Sequence, residues 1–123
     1  MSFPRRPTSA QALASFLAVA GVTHFAAPKF YDAIVPHVLP NPRAWTYLSG
    51  VAELATAAAV AHRGTRRAGG AVAAVLFLAV FPANIQFAID AHTASERAIA
   101  YGRLPLQAPM VVWALRVRHG TPD

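Results

Sequence analysis

Glu53 is the one ionisable residue in the apolar run 44–61, and a lone carboxylate in that setting calls for a chemical reason. At mid-bilayer an ionised side chain costs roughly 2.5 to 3.5 kcal/mol on insertion scales, so such residues face the protein interior, a partner or a water-filled cavity. On a helix, Thr46, Ser49, Gly50, Glu53, Thr56 and Ala57 share one stripe by i, i+3, i+4, i+7 spacing, with Leu48, Val51, Leu54 and Ala58 on other faces. The stripe is small and polar, and Glu53 lies at its centre. A group placed there can pass a proton, pair with a ligand or hold two helices together.

Other polar residues recur at comparable depth. At about 1.5 Å of rise per residue, Glu53 lies about 13 Å below the outer end of its run. Asn84 is about 8 to 9 Å below the outer end of the next, Gln107 about 6 Å below Arg103, and His24 within about 5 Å of the end of the first. His24, Ser49, Glu53, Asn84, Arg103 and Gln107 are therefore expected to form a polar pocket in the outer half. Each has a structural alternative: Glu53 as a hydrogen-bonded helix link, His24 as an interfacial cap, and Asn84 as the group that repairs a kink. Arg103 has three options, namely pairing with Asp90, reaching Glu53 or snorkelling to headgroups. Glu53 has no companion acid, base or nucleophile at catalytic spacing, so no catalytic residue is expected. No second ligand stands three or four residues from His24, so no metal site is expected either.

Positioning these groups requires an all-α fold. Four runs reach or approach the 20 apolar residues that cross a bilayer: residues 9–27, 44–61, 68–89 and 99–117, the last with an apolar core of only about 14 residues, which must recruit its flank or thin the bilayer. The expectation is a four-transmembrane-helix bundle in a single domain, 1–123. Arg5, Arg6, Arg63, Arg66, Arg67, Arg116 and Arg118 would lie on one side; by the excess of cations in cytoplasmic loops, both termini are expected inside. Trp45 and Trp113, near span ends, suit an aromatic belt. Pro82 should kink the third span and leave the Leu78 carbonyl free in the bundle. Gly69, Gly70, Ala73 and Ala74 offer small residues for close helix contact, as does Gly50. Four prolines in 28–42 predict a short surface-lying segment and an extended turn. Thr93-Ala94-Ser95-Glu96 has the spacing of a capping box and predicts a short separate helix over 96–101.

Composition narrows the classes. Of 123 residues 55% are hydrophobic and 13% charged, a membrane-like balance, and the absence of cysteine excludes disulfides and intrinsic thiol chemistry. The net charge of +6 comes from ten arginines and one lysine in short groups with no aromatic-interleaved stripe, which argues against nucleic acid as a partner. Arginine in excess of lysine and abundant alanine point to a bacterial source with a GC-rich genome.

Four motifs in order carry a resemblance: Gly21-Val22-Thr23-His24-Phe25 with Pro28 and Phe30; Tyr47-Leu48-Ser49-Gly50-Val51-Ala52-Glu53-Leu54; Phe81-Pro82-Ala83-Asn84-Ile85; and Arg103-Leu104-Pro105-Leu106-Gln107. Together they resemble the DoxX-like family of small four-helix membrane proteins over about residues 13–117. The resemblance implies an integral membrane protein and carries the family pattern to His24, Gly50, Glu53, Pro82, Asn84, Arg103 and Gln107. Relatives of that broad group include a subunit of a thiosulfate:quinone oxidoreductase, a membrane partner of thiol and superoxide detoxification enzymes and an assembly chaperone for nicotinic receptors, so it implies no single reaction. The expected function is that of a non-catalytic accessory subunit or scaffold in the bacterial inner membrane, in contact with lipid and with another membrane protein or further copies of itself, and without a bound cofactor. The alternative is a quinone-binding subunit in which Glu53 and His24 handle protons for a partner's redox centre. A transporter of this size would have to be an oligomer.

Overall fold

The computed structural model describes residues 8–120, and among them the chain is all-helical, with no strand. Helix α1 (Ser9–Ala26) opens with a reciprocal cap: Gln11 N–H donates to Thr8 Oγ1 at 3.1 Å and Thr8 N–H to Gln11 Oε1 at 2.9 Å. Two of the amides that every helix start leaves unpaired are thereby satisfied. Pro28 and Pro42 each stand at a helix start, opening α2 (Pro28–Ile34) and α3 (Pro42–Ala61), where a missing N–H costs nothing. The intervening turn takes Asn41 into the left-handed region at φ 52°, which asparagine tolerates better than most residues.

Two expectations about the later helices are corrected. The third span is two helices, α4 (Arg66–Ala79) and α5 (Phe81–Asp90), broken at Val80. Pro82 falls in the first turn of α5, so it starts a helix where it was expected to bend one. The helix over 96–101 is not separate. The capping box is present, with Glu96 N–H donating to Thr93 Oγ1 at 3.1 Å, but it opens a continuous 25-residue α6 (Ala94–Arg118) that runs through Pro105 and Pro109. Those prolines are four residues apart and both exposed, so the carbonyls they leave free, of Tyr101 and Pro105, fall on one outward face and break no core contact.

The helices form a ring. α1 lies along α3, α3 against α4, and α4 against α6; α5 continues up α6, while α2 folds over α3 and α5. Trp113 closes the ring from α6 to α1, donating from Nε1 to Ser9 Oγ at 2.9 Å and packing against Phe16 with ring centroids 6.0 Å apart. The buried cluster, with Leu13, Leu17, Val60, Ala73, Phe77 and Val117 at its centre, occupies the end where α3 turns into α4. At this basic end the polypeptide is pressed close. A Cβ on Gly69 would meet Val60 N at 2.7 Å, and one on Gly70 would meet Arg118 N at 2.7 Å, so α4 backs onto α3 and α6 through adjacent glycines. Arg66 caps α3 by donating to the Val60 and Ala61 carbonyls at 2.8 and 3.0 Å.

Large apolar side chains also face outward, among them Val19, Val22, Leu48, Val51, Val75 and Ile89, each more than half exposed. Ser9–Ala26 and the stretch Arg66–Asp90 are long and apolar enough to cross a membrane, whereas α3, with its polar stripe, and α6, with its polar first turns, do not meet the same test. Of the expected inner arginines, Arg5 and Arg6 lie outside the described residues.

Candidate functional site

The polar stripe of α3 faces the bundle. Thr46, Gly50, Thr56 and Ala57 are buried, and Leu48, Val51, Leu54 and Ala58 are exposed. Above the packed basic end the helices part around a cavity of about 370 Å³, which lies within the range of about 300 to 1,000 Å³ usual for small-ligand sites. Glu53, Ser49, His24, Asn84 and Arg103 line it, and Phe16, Phe77, Val80 and Met110 form its apolar wall. Five of the six expected pocket residues are thus brought to one cavity. Gln107 stands behind the wall, accepting from Asn84 Nδ2 at 2.9 Å.

Glu53 comes from the middle of α3 and His24 from the last turn of α1, with Glu53 Oε2 3.6 Å from His24 Nδ1. The two are not hydrogen-bonded. The Nδ1–H donates instead to the Ala20 carbonyl at 2.6 Å, which fixes the ring and leaves Glu53 Oε2 buried without a partner. Tyr31 of α2 stacks on the other face of His24, with centroids 3.7 Å apart and planes 15° apart. Its hydroxyl is 2.6 Å from Thr23 Oγ1; since Thr23 donates to Ala20 O at 2.7 Å, Tyr31 is the donor in that contact.

Asn84 reaches across from α5 to Gln107 of α6, so it joins two helices and does not serve the carbonyl freed by Pro82. A single bond leaves Asn84 Oδ1 and Gln107 Nε2 buried and unpaired. Buried polar atoms without partners are uncommon because each forfeits its bonds to water, and three of them sit on or just behind this cavity. Gln86, two residues on and about 200° around the helix from Asn84, donates to Asp90 at 3.2 Å.

Arg103 forms neither ion pair open to it. It lies over the Phe87 ring at 5.4 Å, while Asp90 pairs with His37 Nε2 at 3.3 Å. With no carboxylate partner among the described residues, it stands on the cavity wall beside an aromatic face.

The mouth is organised by residues outside the expected set. Asp32 of α2 accepts from Thr46 Oγ1 at 2.7 Å and from Arg43 Nε at 2.8 Å, tying α2 to the start of α3. The Thr46 hydroxyl first, and then Arg43, hold the Asp32 carboxyl below the usual carboxylate range. The amides of His92 and Thr93 do the same for Glu96 at the start of α6. Thr46 and Tyr31 line the cavity. Thr46 was detectable as a member of the Glu53 stripe; Tyr31, in a proline-rich loop, carried no periodic signal. Among the described residues no three metal-capable side chains converge.

No curated protein and no solved structure matches the chain. A family model does match, over residues 13–118, a span that takes in all six helices but for the first turn of α1, and the chain belongs to that family, described as Domain of unknown function (DUF8561).

Proposed function

We propose that this chain is a multi-pass protein of the bacterial cell membrane, with four spans and both termini cytoplasmic, that serves as an accessory subunit or scaffold and holds a small ligand in the cavity around Glu53. The observation that carries the reading is the cavity itself: mostly apolar walls, with Glu53 Oε2 unpaired on one side and Asn84 Oδ1 on another. Leaving buried polar groups unpaired costs on the order of 1 to 3 kcal/mol each, a cost that folding alone gives no reason to bear and that a bound ligand removes.

The membrane assignment is supported by two helices of sufficient length and hydropathy and by the outward apolar side chains. Charge segregation supports the orientation. Among the described residues the basic end carries Arg63, Arg66, Arg67, Arg116 and Arg118 with no acid, and the opposite end mixes Lys29, Arg43, Arg97 and Arg103 with Asp32, Asp90 and Glu96. At 25 residues α6 is about 37 Å long, enough to span despite its polar first turns. An accessory role, not catalysis, follows from the isolation of Glu53, whose nearest titratable neighbour spends its Nδ1–H on a backbone carbonyl.

A quinone-binding subunit is the second reading. What favours it is the aromatic lining of Phe16, Tyr31, Trp45 and Phe77 beside a carboxylate, which suits a planar ring with hydrogen-bonding oxygens. It also agrees with kinship to DoxX-like proteins, which we propose on the four motifs.

Purification in mild detergent, with mass spectrometry of co-purifying lipids, quinones and proteins, tests both readings. A stoichiometric small molecule lost in Glu53→Gln is expected, together with a stably bound membrane protein. Quinone in that position selects the second reading, and an empty cavity in the parent protein overturns the ligand site. A C-terminal reporter active only outside the cytoplasm overturns the orientation.

A further inference from the structure

Three donors on the cavity wall are already engaged: the Tyr31 hydroxyl donates to Thr23, the Thr46 hydroxyl to Asp32 and the His24 Nδ1–H to Ala20. The unpaired buried atoms on residues that line the cavity are both acceptors, Glu53 Oε2 and Asn84 Oδ1. A ligand that completes this site has to donate.

Charge takes the argument further. Among the described residues Glu53 is the only acid lining the cavity, and Arg103, the cation on the same wall, lies against Phe87 and forms no ion pair with it. His24 Nδ1 lies 3.6 Å from Glu53 Oε2 but gives its N–H to the Ala20 carbonyl, so no cationic group hydrogen-bonds the carboxylate, and a buried charge without such a partner is costly. The aromatic faces of Phe16, Tyr31, Trp45 and Phe77 attract a cation by their ring quadrupoles. An ammonium meets each demand, because it brings positive charge and three N–H donors with no acceptor.

We infer that the ligand is a small amphipathic primary amine, whose ammonium donates to Glu53 Oε2 and Asn84 Oδ1 and whose apolar body lies against Phe16, Phe77 and Met110. The inference rests on the reading of the cavity as a ligand site. Arg103 repels a cation from its side of the wall and so directs the ammonium to Glu53. An alcohol supplies one donor and no charge, and a carboxylate ligand meets Glu53 with the wrong sign.

The test uses the full chain in detergent and three probes sharing one body: 4-phenylbutylamine, 4-phenylbutanol and 4-phenylbutyrate. Trp45 lines the cavity, so its fluorescence in a Trp113→Phe background reports occupancy. Saturable binding of the amine at least tenfold tighter than the alcohol is expected, with the acid weaker still. Glu53→Gln, which removes the charge but keeps an acceptor oxygen, should weaken the amine at least tenfold and the alcohol by less than threefold. Glu53→Asp should keep the amine preference at lower affinity, and Asn84→Leu should cost the amine about threefold. Circular dichroism shows whether each variant is folded. Alcohol binding as tight as the amine, tightest binding by the acid, or an amine affinity unchanged in folded Glu53→Gln overturns the inference; the first two outcomes keep the cavity as a ligand site. No saturable response to any probe also overturns it, and the co-purification experiment then decides separately whether the ligand site stands.

Discussion

At the end of the bundle where α3 turns into α4, helices meet backbone to backbone. Gly69 and Gly70 leave no room for a methyl group, and Ala73, Ala74, Ala57 and Ala114 are buried around them. At the end covered by α2, α1 and α3 still meet closely through Gly21 and Gly50, but the longer side chains of His24, Tyr31, Glu53 and Asn84 surround a cavity with unpaired acceptors. The break at Val80 and the start of α5 at Phe81 come between the two regimes. One half is built from residues too small to do chemistry, and the other keeps polar atoms that add nothing to packing. In a bilayer this contrast is informative, because lipid is as apolar as leucine and helices associate through close contact and hydrogen bonds. The small-residue end is therefore where stability should reside, and the cavity end is where stability is given up.

The largest expected effect tests that division at Gly69. A Cβ there meets backbone atoms of Ala59 and Val60, which cannot swing aside as a side-chain tip can. Gly69→Val should lose about 3 kcal/mol of stability, the upper part of the range for overpacking. Gly102→Ala is the control on the open side: a Cβ there meets nothing within 4 Å, and it should gain about 0.5 to 1 kcal/mol from helix propensity. Thermal midpoints in detergent check both. Equal midpoints for Gly69→Val and the parent would remove the packed end as the source of stability.

Much of the packed end was legible because its signals are local. Paired small residues at 69–70 and 73–74 mark close contact, and the position of Glu53 on its stripe follows from helical period alone. Depth counting placed His24, Asn84 and Arg103 in the same outer half as Glu53 because helices of similar tilt keep rise and depth proportional. Other features depended on tertiary context. Tyr31 reaches the cavity only because α2 folds back over α3, and that path is set by the Asp32 to Thr46 and Arg43 contacts between residues 11 and 14 apart. The continuity of α6 through two prolines was hidden for a related reason: a proline can bend a helix or end it, and here α6 is held as one helix by its packing against α4 and α5.

Glu53 offers the next sharpest contrast. A structural carboxylate should destabilise when removed, whereas one retained for a ligand should not, since its Oε2 makes no bond in the fold. Glu53→Leu is expected to be more stable than the parent by about 1 kcal/mol while losing the co-purifying ligand. A loss of stability of similar size would make Glu53 a structural link. Asn84 is expected to behave differently because one of its two amide atoms is engaged. A double-mutant cycle of Asn84→Ala and Gln107→Ala should give a coupling of about 0.6 kcal/mol, the usual value for a side-chain hydrogen bond between membrane helices. A coupling near zero would detach α5 from α6 at this point.

The smallest effect expected lies at the mouth, outside the spans, and it is a matter of pH. Asp32 ionises more readily in the folded chain than its ordinary 3.8, chiefly through the Thr46 hydroxyl and then Arg43. A depressed folded pKa means that the unfolded chain takes up the proton first. The Asp32 contribution is therefore complete above about pH 4 and is lost as pH falls through the lower, folded value. Exposure to solvent and to salt keeps it modest. Thermal midpoints measured from pH 6 to pH 3 should drop at the acid end for the parent. They should drop less for Thr46→Val, which keeps the volume of a side chain that is 2% exposed but removes the hydroxyl that holds Asp32 ionised. Glu96→Gln should flatten the same limb independently, since its amide contacts lie at the start of α6 and share no group with Asp32. If Thr46→Val and the parent follow the same acid limb, the Thr46 to Asp32 contact does not hold α2 over the cavity, and the mouth of the site must be kept by the Tyr31 to His24 stack, the Tyr31 to Thr23 hydrogen bond and the packing of Phe30 on Phe87.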